Sequence, residues 1–290
     1  MGSRMIPVLA AVTLLPLGAA PFAAPDPAPA FDAASAEEYG VYISLAERVS
    51  GDFDSAVATL SGAFEAAGWQ VLASHESGVD SDVCSYRAAV LAVNSPEYST
   101  SVLQMGALAA FALPLRVAVF QDENGTHVAA ANPLSLNRTI ISENAFDAQS
   151  RAVVGQLRAV AESAFPGKAG NQQYGQMRDR GLISRTMGLI AGGAFTSKIE
   201  TVTRVRPEDG EGLSEVAQRI YEGIAGVGGS WSWDIRPVYL LDMASEGAVV
   251  IGLTGARMEE KAFQIVGSGG NSTRKDLACP GIDHAAAFPI

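Results

Sequence analysis

Residues 52–69 read DFDSAVATLSGAFEAAGW and carry the clearest local pattern in the chain. Apolar residues recur there at the three- and four-residue spacing of one helix face, at Phe53, Val57, Leu60 and Phe64. Asp52 is a favourable N-cap, and Gly68 is a typical stop. The stretch therefore predicts an amphipathic helix, and the segment that Trp69 opens predicts a strand after it.

The same pattern recurs 160 residues further along the chain, with apolar residues at Leu213, Ala217, Ile220 and Ile224. In the first half, strands are predicted over 39–45, 69–73, 88–93 and 113–120, and a second helix over 97–105. In the second half, strands are predicted over 199–205, 231–235, 248–253 and 279–285, and a second helix over 256–266. The order β-α-β-β-α-β therefore occurs twice, which predicts an α+β fold built from two repeats.

The first half contains two further elements. Asn124 and Gly125 are typical of a tight hairpin turn, which predicts a return strand over 127–131 that Asn132 and Pro133 close. An amphipathic helix should follow, with an apolar face formed by Phe146, Val153, Leu157 and Val160. The second half has no counterpart of either element, so its repeat is the shorter one.

The N-terminus resembles a secretory signal, because Arg4 precedes an apolar stretch from Ile6 to Phe22. Cleavage is expected near Ala30, which would remove residues 1–30; the alternative is an uncleaved anchor. A cleaved signal predicts a bacterial periplasmic or secreted protein. The folded part then divides into a first repeat over 31–165, a linker over 166–197 and a second repeat over 198–290.

The linker is locally basic in an otherwise acidic protein. It is rich in Gly, Gln and Arg, and its bases are Lys168, Arg178, Arg180 and Arg185 against the single acid Asp179. A solvated connection is the first interpretation of such a segment. The alternative is a docking segment for an acidic partner or for an anionic membrane surface.

Composition restricts the classes of function. The chain has 290 residues, 48% of them hydrophobic, and a net charge of -11, which disfavours a nucleic-acid partner because phosphates would be repelled. Three histidines and two cysteines exclude a multi-cysteine zinc site and an iron–sulfur cluster. Motifs for phosphate loops, dinucleotide binding, serine hydrolases and zinc proteases do not occur in the sequence. We therefore predict no metal and no cofactor.

The two cysteines lie one in each half, 195 positions apart. In an oxidising compartment Cys84 and Cys279 could form a disulfide that staples the halves together. The alternative is a pair of free thiols that behave as small apolar side chains.

Few other residues suggest chemistry. His284 follows Cys279 closely, and the two could reach one metal or haem iron if His75 or Met258 joined them. His75 beside Glu76 could also form an acid–base pair, although neighbours in a strand point to opposite faces. Trp231 and Trp233 share one face of a predicted strand and could stack on a sugar or an aromatic ligand, but packing in the core or at a sheet edge is the commoner role for such residues.

With these residues in view, the chain resembles the uncharacterised domain-of-unknown-function family numbered 302. The resemblance is carried by the end of the first helix at Ala66–Trp69, the Asn94-Ser95-Pro96 turn, the Leu113–Val117 stretch and the Asn132-Pro133 close. Leu115 stands where the family pattern has a cysteine. The resemblance implies a curved mixed sheet with helices on one face, often paired as a dimer, and it implies no established activity.

These observations favour an exported non-catalytic binding or accessory protein. Its small ligand or envelope-protein partner would occupy the groove between the repeats or the basic linker. One alternative is a structural subunit of a bacterial envelope complex that an uncleaved N-terminus anchors in the membrane. The other is an exported redox or metal-dependent enzyme that uses Cys279 and His284.

Overall fold

The computed structural model describes residues 39–79, 82, 84–141, 146–178, 199–201, 203–227, 234–268, 279 and 281–287, without the side chains of 176–178 and 265–268. The signal-peptide prediction, Trp231 and Trp233 lie outside these ranges, as does most of the predicted linker. No helix in the described ranges is both long enough and apolar enough to span a membrane.

The described residues form an α+β fold, in which the strands pair antiparallel and the helices pack on the sheets. The strands are β1 Tyr39–Val49, β2 Gln70–Glu76, β3 Ala88–Asn94, β4 Leu115–Asp122, β5 Gly125–Ala131, β6 Gln173–Arg178, β7 Arg236–Met243 and β8 Ala248–Thr254. The α-helices are α1 Phe53–Ala66, α2 Pro96–Leu103, α3 Pro133–Ile140, α4 Asp147–Ala164, α5 Leu213–Gly226 and α6 Ala256–Ser268. Short 3₁₀ helices cover Ala107–Ala112, Ala244–Glu246 and Ile282–Ala287, the last of which we call the C-terminal 3₁₀ helix.

The first six strands form one sheet in the order β2-β3-β4-β5-β1-β6. Every pair of neighbours is antiparallel, so the described sheet is antiparallel and not mixed. The β4–β5 hairpin that Asn124 and Gly125 predict is present, with Asp122 opposite Gly125. Gly125 has a φ of 128°, a conformation that favours glycine.

Helix α1 forms as its sequence predicts. The Asp52 side chain caps it by accepting a hydrogen bond from the backbone N–H of Ser55 at 2.8 Å. The helix buries Phe53, Ala56, Leu60 and Phe64 and packs on β2, β3, β4 and α4. On α4 the predicted apolar residues Val153, Leu157 and Val160 are buried as well.

Both faces of the six-stranded sheet are covered. Neighbouring residues of a strand point to opposite faces, and all seven residues of β3 are buried. First-half helices α1 and α4 cover one face, and the C-terminal 3₁₀ helix contacts β3, β4 and β5 from the second half. Tyr239, Phe263 and Ile282 of the second half belong to the same apolar core as the first half.

The second half contains a smaller sheet. Strands β7 and β8 pair antiparallel, and α5 packs against both of them. Its order α5-β7-β8-α6 matches α1-β2-β3-α2, and α1 and α5 have 14 residues each. Both strand pairs also carry a register shift near the start of the first strand, after Val71 and after Pro237. These shared features support the duplication, which stays a prediction.

Two strands predicted for the second repeat are not formed. The described residues of 199–205 are irregular, and the segment predicted as a strand over 279–285 is instead mostly the C-terminal 3₁₀ helix. Gly281 has a φ of 97°, which turns the chain before a strand could begin. Among the described residues, the sheet of the second half therefore contains only β7 and β8. The first and last strands of the predicted repeat are absent from this described sheet.

The predicted linker also contains a strand. Residues 173–178 form β6, which pairs with the free edge of β1, so the connection does not begin at residue 166 as predicted. Gly40 on β1 permits this pairing, because a Cβ there would lie 2.5 Å from the carbonyl oxygen of Tyr174.

Because the two sheets differ in size, replacing a packed residue should destabilise the protein more in α1 than in α5. Leu60 is fully buried, whereas Ile220 is only half-buried, since α5 covers just two described strands. We expect Leu60→Ala to lower the free energy of unfolding by about 2–5 kcal/mol, and Ile220→Ala to cost less than half as much. Urea unfolding at equilibrium measures both costs. Equal costs would show that α5 is as deeply packed as α1.

Candidate functional site

A cavity of about 270 Å³ lies where the two halves meet. It lies between β1, the β4–β5 hairpin, the start of β6 and the C-terminal 3₁₀ helix. Ten of the residues that the structure describes line it: Ser44, Glu47, Arg48, Phe120, Asn124, His127, Ala129, Gln172, Tyr174 and Asp283. Seven of them belong to the first repeat, Gln172 and Tyr174 follow it in the segment predicted as a linker, and Asp283 is the contribution of the second half.

Strand register places the lining side chains on one face of the sheet. Phe120 lies directly opposite His127 in the β4–β5 pair, and Ser44 lies directly opposite Ala129 in the β1–β5 pair. Residues that are directly opposite across a pair of strands share a face. The rings of Phe120 and His127 stack with centroids 5.3 Å apart, which fixes the imidazole against the wall of the cavity.

The orientation of His127 is set by a buried carboxylate. Nε2 of His127 lies 3.0 Å from Oδ1 of Asp122, and both side chains are buried. The backbone N–H of Asn124 donates to the same oxygen at 2.6 Å, so the hairpin turn holds the carboxylate in place. In the neutral imidazole the proton then lies on Nε2, which leaves the lone pair on Nδ1. Within the described residues, Nδ1 makes no hydrogen bond.

Two carboxylate side chains line the cavity. Glu47 accepts a hydrogen bond from the Ser44 hydroxyl at 3.1 Å, and Asp283 is buried at the start of the C-terminal 3₁₀ helix. The Tyr174 hydroxyl donates to the backbone carbonyl of Asp283, which ties this helix to β6. The lining contains one arginine, Arg48, which is exposed.

His284 lies beside the cavity lining in a stack of rings. Its imidazole lies 4.4 Å from the Tyr42 ring, centroid to centroid, and burial lowers the pKa of His284 to about 4. Burial likewise raises the pKa of the Tyr42 phenol to about 12. Both groups are therefore neutral at pH 7, and their role here is packing between the sheet and the second half.

Cys84 and Cys279 form a disulfide, with sulfur atoms 2.11 Å apart and Cα atoms 5.3 Å apart. The bridge joins the β2–β3 connection to the residue three positions before the C-terminal 3₁₀ helix. The sulfur of Cys279 is therefore bonded and presents no thiolate to a metal. In the described ranges, no group of three or more His, Cys, Asp or Glu residues is arranged to hold a metal ion.

A second junction between the halves was not predicted. His75 Nε2 lies 2.7 Å from Oε1 of Glu259, which is buried on α6. The Thr254 hydroxyl donates to the same oxygen, and the backbone N–H of Gly78 donates to Oε2 at 2.5 Å. His75 therefore pairs with Glu259 and not with its neighbour Glu76, which instead accepts hydrogen bonds from Arg87.

The sequence identified only part of the site. It singled out Cys84, Cys279, His75 and His284, yet among these the structure joins only the two cysteines. His127 and Asp122 belong to the hairpin and were not identified as candidates. Their spacing across a predicted tight turn was the available signal, since residues flanking such a turn face each other.

Comparison with protein families finds a match to part of this chain. Residues 45–164 match the family described as Domain of unknown function DUF302. The resemblance inferred from the sequence is therefore confirmed. No curated protein matches the chain.

One solved structure in the DUF302 family is similar to this chain. It is the uncharacterized conserved protein DUF302 from Bacillus stearothermophilus, which is 18% identical with a TM-score of 0.38. The match covers 43% of this chain and 98% of that protein. The matched region contributes six of the ten lining residues that the structure describes, whereas Ser44 lies just before it and Gln172, Tyr174 and Asp283 lie after it.

The Glu259 junction predicts a pH dependence. Hydrogen bonds from His75, Thr254 and Gly78 outweigh the opposing effect of burial and hold the pKa of Glu259 below its ordinary value of 4.5. A lowered carboxylate pKa adds stability above the unfolded value, and this stability is lost as pH falls through the folded value. We expect Glu259→Gln to reduce the free energy of unfolding at neutral pH by about 1–3 kcal/mol. The loss of stability on acidification below about pH 4.5 should then be smaller in the variant.

Chemical denaturation across a pH series measures this effect. Glu260→Gln is the matched control, because Glu260 is the exposed neighbour on the same helix. If both variants follow the wild-type pH profile, the Glu259 junction contributes nothing to acid stability.

The disulfide predicts that neither cysteine reacts with a thiol reagent. No thiol should react with a thiol reagent before or after denaturation without reductant, because both cysteines are bonded. Replacing both by serine should lower the free energy of unfolding by about 2–5 kcal/mol, as expected for a bridge that closes a long loop. Mass analysis and urea unfolding test the two parts. Two reactive thiols per chain after denaturation would contradict the bridge.

Proposed function

We propose that this protein is an exported, non-catalytic binding protein that holds a small ligand in the cavity between its halves. The observation that carries the proposal is the polar cavity itself, in which one ring nitrogen of the buried His127 makes no hydrogen bond to any residue that the structure describes. Ligand sites are concave and contain a few well-placed polar groups among apolar ones. Phe120, Tyr174 and Ala129 supply the apolar part of this lining.

The arrangement of the cavity supports binding over catalysis. Ser44 is the serine of the described lining, and its hydroxyl donates to Glu47 and not to His127. Activation of a serine by a histidine needs a hydrogen bond between the two. His127 is oriented by Asp122 toward a cavity in which it can accept a hydrogen bond.

Export is supported by two independent features. The N-terminal sequence resembles a secretory signal, and disulfides persist in oxidising compartments such as the bacterial periplasm. A bridge between the halves also keeps Asp283 in the cavity wall, because Cys279 lies four residues before it. The proposal therefore places the protein in the periplasm or outside the cell.

A blocked cavity tests the proposal. Gln172→Trp places a large ring at the lining from an exposed position, and Asn171→Trp places the same ring on its exposed neighbour outside the lining. Each variant and the wild type would be purified after export and analysed by native mass spectrometry for bound small molecules. We expect a bound mass on the wild type and on Asn171→Trp, and its loss from Gln172→Trp.

Thermal unfolding of the same samples checks that both variants fold. A bound mass that survives Gln172→Trp would place the ligand elsewhere. The absence of any bound mass from the exported wild type, together with no response to a panel of small molecules, would contradict the proposed function.

A further inference from the structure

We infer that the cavity binds a small organic cation with a protonated amine, which rests on the proposed function and names its ligand class. Three features of the lining indicate this class of ligand: its charge, its hydrogen-bonding groups and its aromatic rings. A volume of about 270 Å³ lies just below the range of roughly 300–1,000 Å³ for ordinary ligand pockets, so the ligand is small.

The charge of the lining favours a cation. Glu47 and Asp283 contribute two carboxylates, and Asp122 lies directly behind His127. Among the described lining residues the opposing charge is Arg48, whose exposed side chain is screened by water. The negative charge of these side chains would repel an anionic ligand and attract a cation, for which Glu47 is the proposed ion-pair partner.

The hydrogen-bonding groups of the lining are mainly acceptors. Nδ1 of His127 has its lone pair when the imidazole is neutral, and the Glu47 carboxylate has capacity beyond the bond from Ser44. The Ser44 oxygen can also accept, because its proton is directed at Glu47. A protonated primary amine has three donors and no acceptor, which complements this set.

Aromatic rings supply the rest of the recognition. The Phe120 and Tyr174 side chains are buried and line the cavity. A cation over an aromatic face is attracted by the ring quadrupole, and the attraction strengthens when water is excluded. A neutral alcohol of the same size would gain neither this attraction nor the ion pairs.

The test compares three probes of one shape: butylamine, butan-1-ol and butyrate. Binding to the full exported protein would be measured by ligand-observed NMR at neutral pH after removal of any bound molecule. We expect butylamine to bind at least about tenfold more tightly than butan-1-ol, no detectable binding of butyrate, and weaker butylamine binding as salt is raised.

Two matched variants test the role of the lining carboxylate. Glu47→Gln keeps an oxygen that can accept from Ser44 but removes the charge, so it should weaken butylamine binding by about tenfold. Glu65→Gln removes the same charge from the exposed surface of α1 and should leave binding unchanged. Thermal unfolding confirms that both variants are folded.

The outcomes separate the two proposals. Binding of butyrate or butan-1-ol as tight as that of butylamine, lost in Gln172→Trp, would overturn the ligand class and keep the binding function. An equal effect of Glu47→Gln and Glu65→Gln would also overturn the ligand class. It would show that butylamine binding depends on the net negative charge of the protein and not on the carboxylate in the cavity. Failure of all probes, with no bound mass on the exported protein, would overturn both.

Discussion

The fold depends on covering both faces of the central strands. Every residue of β3 is buried, and so are both faces of β4 and β5 over most of their length. Helices α1 and α4 can cover only one face, so the other face needs a second layer. That layer is the second half of the chain, whose Tyr239 and Ile282 join the same core. The two halves are therefore one packing unit.

This second layer is more polar than an ordinary core. The face it covers bears Tyr42, Ser44 and His127, and the C-terminal 3₁₀ helix presents Asp283 and His284 to it. Buried polar groups are costly unless they are hydrogen-bonded, and they are difficult to pack without gaps. The cavity lies where this polar interface does not close. Binding and cohesion of the halves are thus properties of the same interface.

The elements that the sequence predicts correctly are those formed by local interactions. Asp52 and the spacing from Phe53 to Phe64 predict α1, and Asn124-Gly125 predicts the hairpin. The elements and contacts that the sequence does not predict depend on partners far away in the chain. β6 forms because β1 offers an unpaired edge, and Glu259 pairs with His75 across 184 positions. The Asp122–His127 pair lay within reach of prediction, since a two-residue turn brings them together, but the position of Asp283 in the same cavity is set by tertiary packing.

The Cys84–Cys279 bridge changes the covalent topology of the chain. It closes a ring that contains most of both halves, including β3 to β5, α4 and the whole of β7 and β8. A single peptide cut at any point within this ring yields two fragments that remain one covalent molecule. The same ring keeps the two halves close together when the contacts between them are broken. Each half therefore experiences a high effective concentration of the other. After a nick or a transient opening, the halves therefore re-form their interface as an intramolecular event.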